Sequence, residues 1–349
     1  MKKVFTLLTC AFVLVLTACS GGDKEKLNVY NVGEYIDPEV IKIFEKEFDC
    51  KVNYEVYDSN ETMYQKVKAG GTSYDVVFPS DYMVEKMENE GLLLPLDYSK
   101  IPNFEYISDE YKNLPYDPEN LYTVPYFWGT VGILYDKTVV TEPVDSWSIL
   151  WDEKYKGNIF MYDSQRDSLM VALKLLGYSM NTQNVDELEE AKQLLIEQSP
   201  LVYAYVTDTV IDGMIAGNAA LAVVYSGDAT YIMSENEDME FVIPKEGSNM
   251  WVDAMVIPST AQNVELAHEF INFMQRPDIA QMNTEYVMYS TPNTEALANV
   301  TDEEWTQNEA YSPSKELLSS LPMETFRDPG SFITEYDRIW TEVLATSNR

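Results

Sequence analysis

The chain has 349 residues, with 58 acidic against 24 basic side chains and one histidine. A formal charge of −34 argues against a nucleic-acid partner and favours encounters with cations. The single histidine, His268, leaves no serine–histidine–aspartate triad and no histidine-rich metal centre. It falls in an amphipathic helical pattern and is expected at the surface or half-buried. No glycine-rich phosphate loop is present, so neither a cofactor nor a metal is expected.

Met1-Lys2-Lys3 followed by an apolar run over 4–18 has the form of a secretory signal, too short for a permanent membrane span. It ends Leu16-Thr17-Ala18-Cys19, a lipoprotein cleavage pattern. A signal peptide over 1–18, lipid on Cys19 and a polar tether over 19–26 are therefore expected, with the protein held at the outer face of the cytoplasmic membrane. Loss of Lys2 and Lys3 leaves 22 basic against 58 acidic residues. Cys10 departs with the leader and Cys19 takes lipid, so Cys50 has no disulfide partner and is expected to pack.

The remaining length is too great for one core, so two domains are expected. Alternation predicts a strand at 27–30, then a helix at 38–48 with Pro38 in its first turn. A strand follows at 51–57, and a helix at 61–69 capped by Asn60 and stopped by Gly70-Gly71. A buried strand at 74–78 leads to a helix at 82–89 capped by Ser80. This β-α-β-α-β-α order predicts an α/β lobe around a mostly parallel sheet. The segment 92–125, rich in Pro, Tyr and Asp, is expected to be an irregular surface excursion.

A second alternation begins with a strand at 131–135. Strands are expected at 158–161, 202–206 and 220–225, and helices at 167–176, 185–198, 209–216 (capped by Asp208) and 228–235. A strand at 251–257 returns toward the first lobe, and helices at 264–275, 279–285 and 331–344 finish the chain. The division expected is 27–128 with 254–300 in the first lobe, and 129–253 with 301–349 in the second. Crossover strands join two α/β lobes around a cleft.

In such sheets ligands sit beyond the carboxyl ends of the strands. Those positions hold Glu34 and Tyr35; Ser80 and Tyr82; Ser164 and Asp167; Tyr225 and Asp228; and, on the returning strand, Trp251 and Asp253. Trp251 and Asp253 alternate and so share one face. Carboxylates with aromatic rings suit an organic cation. Simpler roles compete: Glu34 as a solvated acid near a helix start, Ser80 and Asp228 as caps.

At these residues the sequence resembles the spermidine/putrescine-binding proteins of bacterial polyamine ABC transporters. The matching stretches include Asn31-Val32-Gly33-Glu34-Tyr35, Tyr74-Asp75-Val76-Val77-Phe78-Pro79-Ser80 and Val124-Pro125-Tyr126-Phe127-Trp128-Gly129. Trp151-Asp152-Glu153-Lys154-Tyr155-Lys156-Gly157, Trp251-Val252-Asp253 and Tyr289-Ser290-Thr291-Pro292-Asn293 continue them. The resemblance implies a type II periplasmic-binding-protein fold that closes on a polyamine. It assigns ligand contacts to Glu34, Tyr35, Ser80, Tyr82, Asp167, Tyr225, Asp228, Trp251, Asp253 and Tyr289. Asp228 matches the carboxylate of putrescine-preferring relatives. Val32 and Tyr225 stand where the family carries tryptophan, Ser164 where spermidine binders carry an acid. Phe326 or Arg327 falls near a polar contact. The expected partners are putrescine or spermidine, a membrane permease and the lipid anchor, with the protein a monomer. A polyamine sensor docking on a signalling protein, and a secreted hydrolase with paired carboxylates, are the alternative readings.

Overall fold

The computed structural model describes residues 24–33 and 35–347; the leader, Cys19 and Glu34 lie outside the described residues. The first lobe begins with β1 (Lys26–Val32), α1 (Pro38–Glu47), β2 (Lys51–Tyr57), α2 (Asn60–Ala69), β3 (Val76–Val77) and α3 (Asp81–Asn89). Lys26, expected in the tether, already pairs with Lys51 in the sheet. The strands run in the order β2-β1-β3 and all are parallel. The cap of α2 is Ser59, not Asn60: Ser59 Oγ accepts the Thr62 N–H at 3.2 Å. Asn60 instead holds Ser80, with its Oδ1 accepting the Ser80 N–H and its Nδ2 donating to Ser80 Oγ, both at 3.0 Å. Ser80 occupies the cap position of α3 but makes no side-chain capping bond.

The excursion after α3 contains 3-10 turns at Tyr98–Lys100, Pro102–Tyr106 and Asp109–Tyr111. It is not merely a surface loop, since Ile101, Ile107 and Tyr116 are buried. The Asp117 carboxylate fastens it by accepting the N–H groups of Leu121, Tyr122 and Thr123 at 2.8–3.0 Å.

β4 (Val124–Asp136) then runs for 13 residues, far beyond the five expected. The second lobe follows with β5 (Ile159–Tyr162), α4 (Gln165–Leu175), α5 (Val185–Gln198), β6 (Val202–Val206), α6 (Thr209–Ile215), β7 (Leu221–Tyr225), α7 (Ser226–Glu235) and β8 (Met239–Val242). Its sheet order is β6-β5-β7-β4-β8. Asp208 precedes α6 without a side-chain capping bond. β9 (Met250–Met255) pairs antiparallel with the first half of β4, Val124 to Thr130. The second half of β4, Val131 to Asp136, pairs with β7 and β8. One strand thus serves both lobes. α8 (Val264–Met274), α9 (Pro277–Val287) and α10 (Thr294–Asn299) follow, then α11 (Glu303–Thr306), α12 (Lys315–Ser320) and α13 (Ile333–Ser347).

Each sheet is covered on both faces. Leu27, Val29, Val76 and Phe78 pack with Phe44, Phe270 and Phe273 on one side of the first sheet. Tyr30 and Val77 face Met63, Val67, Met83 and Met87 on the other. In the second lobe Leu221 and Val223 meet Leu169, Leu188, Ile339 and Val343, while Ala222 and Val224 meet Val210, Met214 and Ile232. Each fully buried large apolar side chain contributes about 1.5–3 kcal/mol, so the layers fix where the strand ends converge. Cys50 is buried and free. His268 is buried rather than surface-lying: Nε2 accepts the Asp97 N–H at 2.9 Å and Nδ1 lies 2.7 Å from Val264 O. It ties the excursion to α8.

Candidate functional site

Apart from Glu34, which lies outside the described residues, the expected residues gather where the two lobes face each other. Tyr35 follows β1, Ser80 and Tyr82 begin α3, and Trp251 and Asp253 alternate along β9. Tyr289 follows the left-handed Met288 that ends α9. From the second lobe, Asp167 lies in the first turn of α4, and Tyr225 and Asp228 flank the start of α7. Each is buried or half-buried.

Three of the carboxylates at this junction are each held by a tyrosine. Tyr35 donates to Asp253 Oδ2 at 2.7 Å. Tyr289 donates to Asp228 Oδ1 at 2.8 Å. Tyr225 donates to Asp167 Oδ2 at 2.9 Å, and Ser164 Oγ donates to the same oxygen at 2.6 Å. The other oxygen, Asp167 Oδ1, is buried with no hydrogen-bond partner. Asp228 does not cap α7, which has no side-chain capping bond.

Burial disfavours charge on all three acids. It raises Asp253 to about 6 against hydrogen bonds from Ser80 and Tyr35, which pull it down. It raises Asp228 to about 6 against the bond from Tyr289, with Asp208 adding a small upward push. Asp167 is raised by the same cause, opposed by Ser164 and Tyr225. Desolvated acids of this kind favour an arriving cation.

The tyrosines also form a chain of rings. Tyr35 meets Tyr289 with ring centroids 5.7 Å apart, Tyr289 meets Trp251 at 5.4 Å, Trp251 meets Tyr225 at 6.0 Å, and Tyr225 meets Tyr162 at 4.9 Å. Two glycines make room for it. A Cβ on Gly227 would lie 2.3 Å from the Tyr289 ring, and one on Gly129 would lie 2.6 Å from Trp251. The result is an aromatic run edged by three acids, suited to an alkyl chain with cationic ends.

Tyr82 is half-buried nearby, but its hydroxyl donates to Glu61 Oε1 at 3.0 Å instead of to one of these acids. Phe326 lies under the Arg166 guanidinium at 4.5 Å, and Arg327 pairs with Glu85. Tyr162 and Phe127, the latter 5.1 Å from Tyr35, extend the aromatic wall beyond the expected set. Tyr162 ends β5, so strand-end position was its signal. Phe127 sits inside a strand that sequence periodicity does not reveal. Among the described residues, no group of three or more His, Cys, Asp or Glu side chains is arranged to hold a metal ion.

Comparison with known proteins agrees with this architecture. A model of the bacterial extracellular solute-binding protein family matches residues 39–313. The spermidine/putrescine-binding periplasmic protein of Salmonella typhimurium is 35% identical over 328 residues, covering 93% of this chain and 94% of that protein. A crystal structure of the substrate-binding protein PotD of a Streptococcus pneumoniae spermidine/putrescine ABC transporter superposes with a TM-score of 0.83. It is 41% identical and covers 93% of this chain and all of that one. The Tp0655 lipoprotein of Treponema pallidum superposes with the same TM-score at 30% identity, covering 91% and 99%.

Proposed function

The chain belongs to the bacterial extracellular solute-binding protein family, and from that premise we propose that it captures putrescine or spermidine and delivers it to the permease of an ABC transporter. Its family and relatives carry solutes, and it is not an enzyme. The observation that carries the choice of ligand is the unpaired, buried Asp167 Oδ1 at the end of the ring chain, with Asp228 and Asp253 farther along it. A buried carboxylate oxygen without a donor is costly, and an ammonium group supplies one.

The energetics suffice. Micromolar affinity corresponds to about 8 kcal/mol. Hydrogen bonds to charged groups give about 1.5–3 kcal/mol each, and cation–π contacts about 0.5–2 kcal/mol. Two or three acids with two rings reach that value after the cost of association; one acid does not. Titration calorimetry with putrescine, spermidine and spermine tests the reading. Absence of heat with all three rejects it.

The same reading places Glu34 with Tyr35 at the ligand and Cys19 in a lipid anchor. The protein would then act as a monomer at the outer face of the cytoplasmic membrane. Among the described residues no helix is long and apolar enough to cross a membrane. Release of the protein from membranes by Cys19→Ala tests the anchor. The lobe limits proposed are 27–128 with 254–300, and 129–253 with 301–349.

A further inference from the structure

The two lobes also touch beside the site, along α3. Glu85 lies on α3, three residues after Tyr82, so both project from one helix face. Its carboxylate meets Arg327 in a two-point pair: Nε donates to Oε2 at 2.9 Å, and Nη2 donates to Oε1. The Asp328 N–H donates to Oε2 at 2.9 Å. The neighbouring Lys86 Nζ lies 3.9 Å from Asp328 Oδ1. Glu85-Lys86 therefore faces Arg327-Asp328 in reciprocal charge order.

The Arg327 loop belongs to the second lobe. Its N–H donates to Asn181 Oδ1 at 2.9 Å, and its carbonyl accepts from Arg166 Nη1 at 3.2 Å. Asn181 Nδ2 donates to Thr325 O at 2.8 Å, and Lys174 pairs with Glu324. The Glu85 side chain is only 18% exposed. Burial works against its charge, yet Arg327 and the Asp328 N–H together hold its carboxyl below the ordinary range. Exposed single-point surface pairs contribute little; a two-point guanidinium–carboxylate pair with an added backbone donor is the exception.

We propose that Glu85 and Arg327 are positioning residues for ligand retention, a latch that ties α3 to the second lobe and sets how slowly captured ligand leaves. It rests on the reading of the cleft as a polyamine site. The pair spans the two lobes, so opening the cleft breaks it, and an encounter with the open protein does not form it. Such a contact acts on release and not on arrival.

The test uses purified protein and three variants: Glu85→Gln, Arg327→Gln and the double change. Stopped-flow tryptophan fluorescence, with Trp251 as cleft reporter, gives the putrescine rates. Each single variant is expected to release putrescine about tenfold faster, and Glu85→Gln to leave association within about twofold of the parent. The double variant is expected to be no faster than the faster single variant, because both remove one contact. Release within about twofold of the parent, or single effects that multiply in the double variant, overturns the latch. If Glu85→Gln does not fold, Arg327→Gln, at a more exposed position, carries the test alone. Should neither putrescine nor spermidine bind the parent, the polyamine reading fails and small-angle scattering of unliganded protein decides the latch separately. A larger radius of gyration in the variants supports it; an unchanged one in a parent as compact as the closed structure, or a parent already open without ligand, overturns it.

Discussion

The hydroxyl of Tyr35 donates to Asp253 Oδ2 at 2.7 Å across 218 residues of chain. A loop after the first strand thereby supports an acid on the strand that returns from the second lobe. Ser80, which Asn60 binds at both its N–H and its hydroxyl, also pulls the Asp253 carboxyl down. Asp253→Asn is expected to weaken putrescine binding at least as much as any single aromatic substitution, by about tenfold to a hundredfold. Calorimetry on Asp253→Asn beside Trp251→Ala and Tyr289→Ala checks the order, and an unchanged affinity in Asp253→Asn rejects the role.

The same substitution should stabilise the unliganded protein. Asp253 and Asp228 have an ordinary value of 3.8 and reach about 6 in the fold. A group raised on folding favours the folded state below its unfolded value, and this advantage is lost as pH rises through the folded value. Both acids therefore cost stability at neutral pH. Full desolvation would make this about 3 kcal/mol per group, and partial solvation leaves about 1–2 kcal/mol. Asp253→Asn is expected to raise Tm by about 2–4 °C at pH 7.5 and to lose that advantage at pH 4. Thermal scans at the two pH values decide it.

Ligand affinity should follow the opposite course. An ammonium group prefers the ionised acids, so binding releases protons when pH is near 6. Between pH 7 and pH 5 each acid with a value of about 6 becomes about tenfold less ionised. Putrescine affinity is expected to fall by at least about tenfold over that interval. Calorimetry in buffers of different ionisation enthalpy should show proton release at pH 6. A flat affinity profile down to pH 5 would mean that these acids do not meet the cation.

Gly227 offers a steric test that leaves every charge in place. A methyl group there would lie 2.3 Å from the Tyr289 ring, so the ring must move away from Asp228 and Trp251. Gly227→Ala is expected to lower affinity about tenfold while leaving the far-ultraviolet dichroism unchanged. Retained affinity would separate Tyr289 from the binding surface.

Ser164 bears on ligand length. It caps α4 and donates to Asp167 at 2.6 Å. Aspartate also caps helices well, so Ser164→Asp preserves the helix start and adds an acid at the end of the ring chain. The expected outcome is a shift of the spermidine-to-putrescine affinity ratio toward spermidine by about threefold or more. Competition calorimetry with both ligands measures it.

Much of the cleft was legible because cleft positions follow from strand ends. Tyr35, Ser80, Asp167 and Asp228 lie just past strands that alternation reveals, and Trp251 and Asp253 share a face by period two. The pairing of each acid with its own tyrosine was not legible, since 218, 61 and 58 residues separate the partners. Nor was the length of β4. Pro125 and Gly129 look like strand breakers, yet the ladder shifts register between Pro125 and Phe127, and Gly129 leaves space for the Trp251 ring. Arg327 sits in a segment without periodicity, so its engagement with Glu85 has no local signature.

The continuity of β4 has a consequence for taking the molecule apart. Its first seven residues align with β9 and its last six with β7 and β8. A fragment cut between the halves leaves each side with a raw strand edge and half of its central ladder. Neither side is then a transplantable module. Split-reporter and domain-grafting schemes should place their breaks in peripheral loops and keep Val124–Asp136 whole.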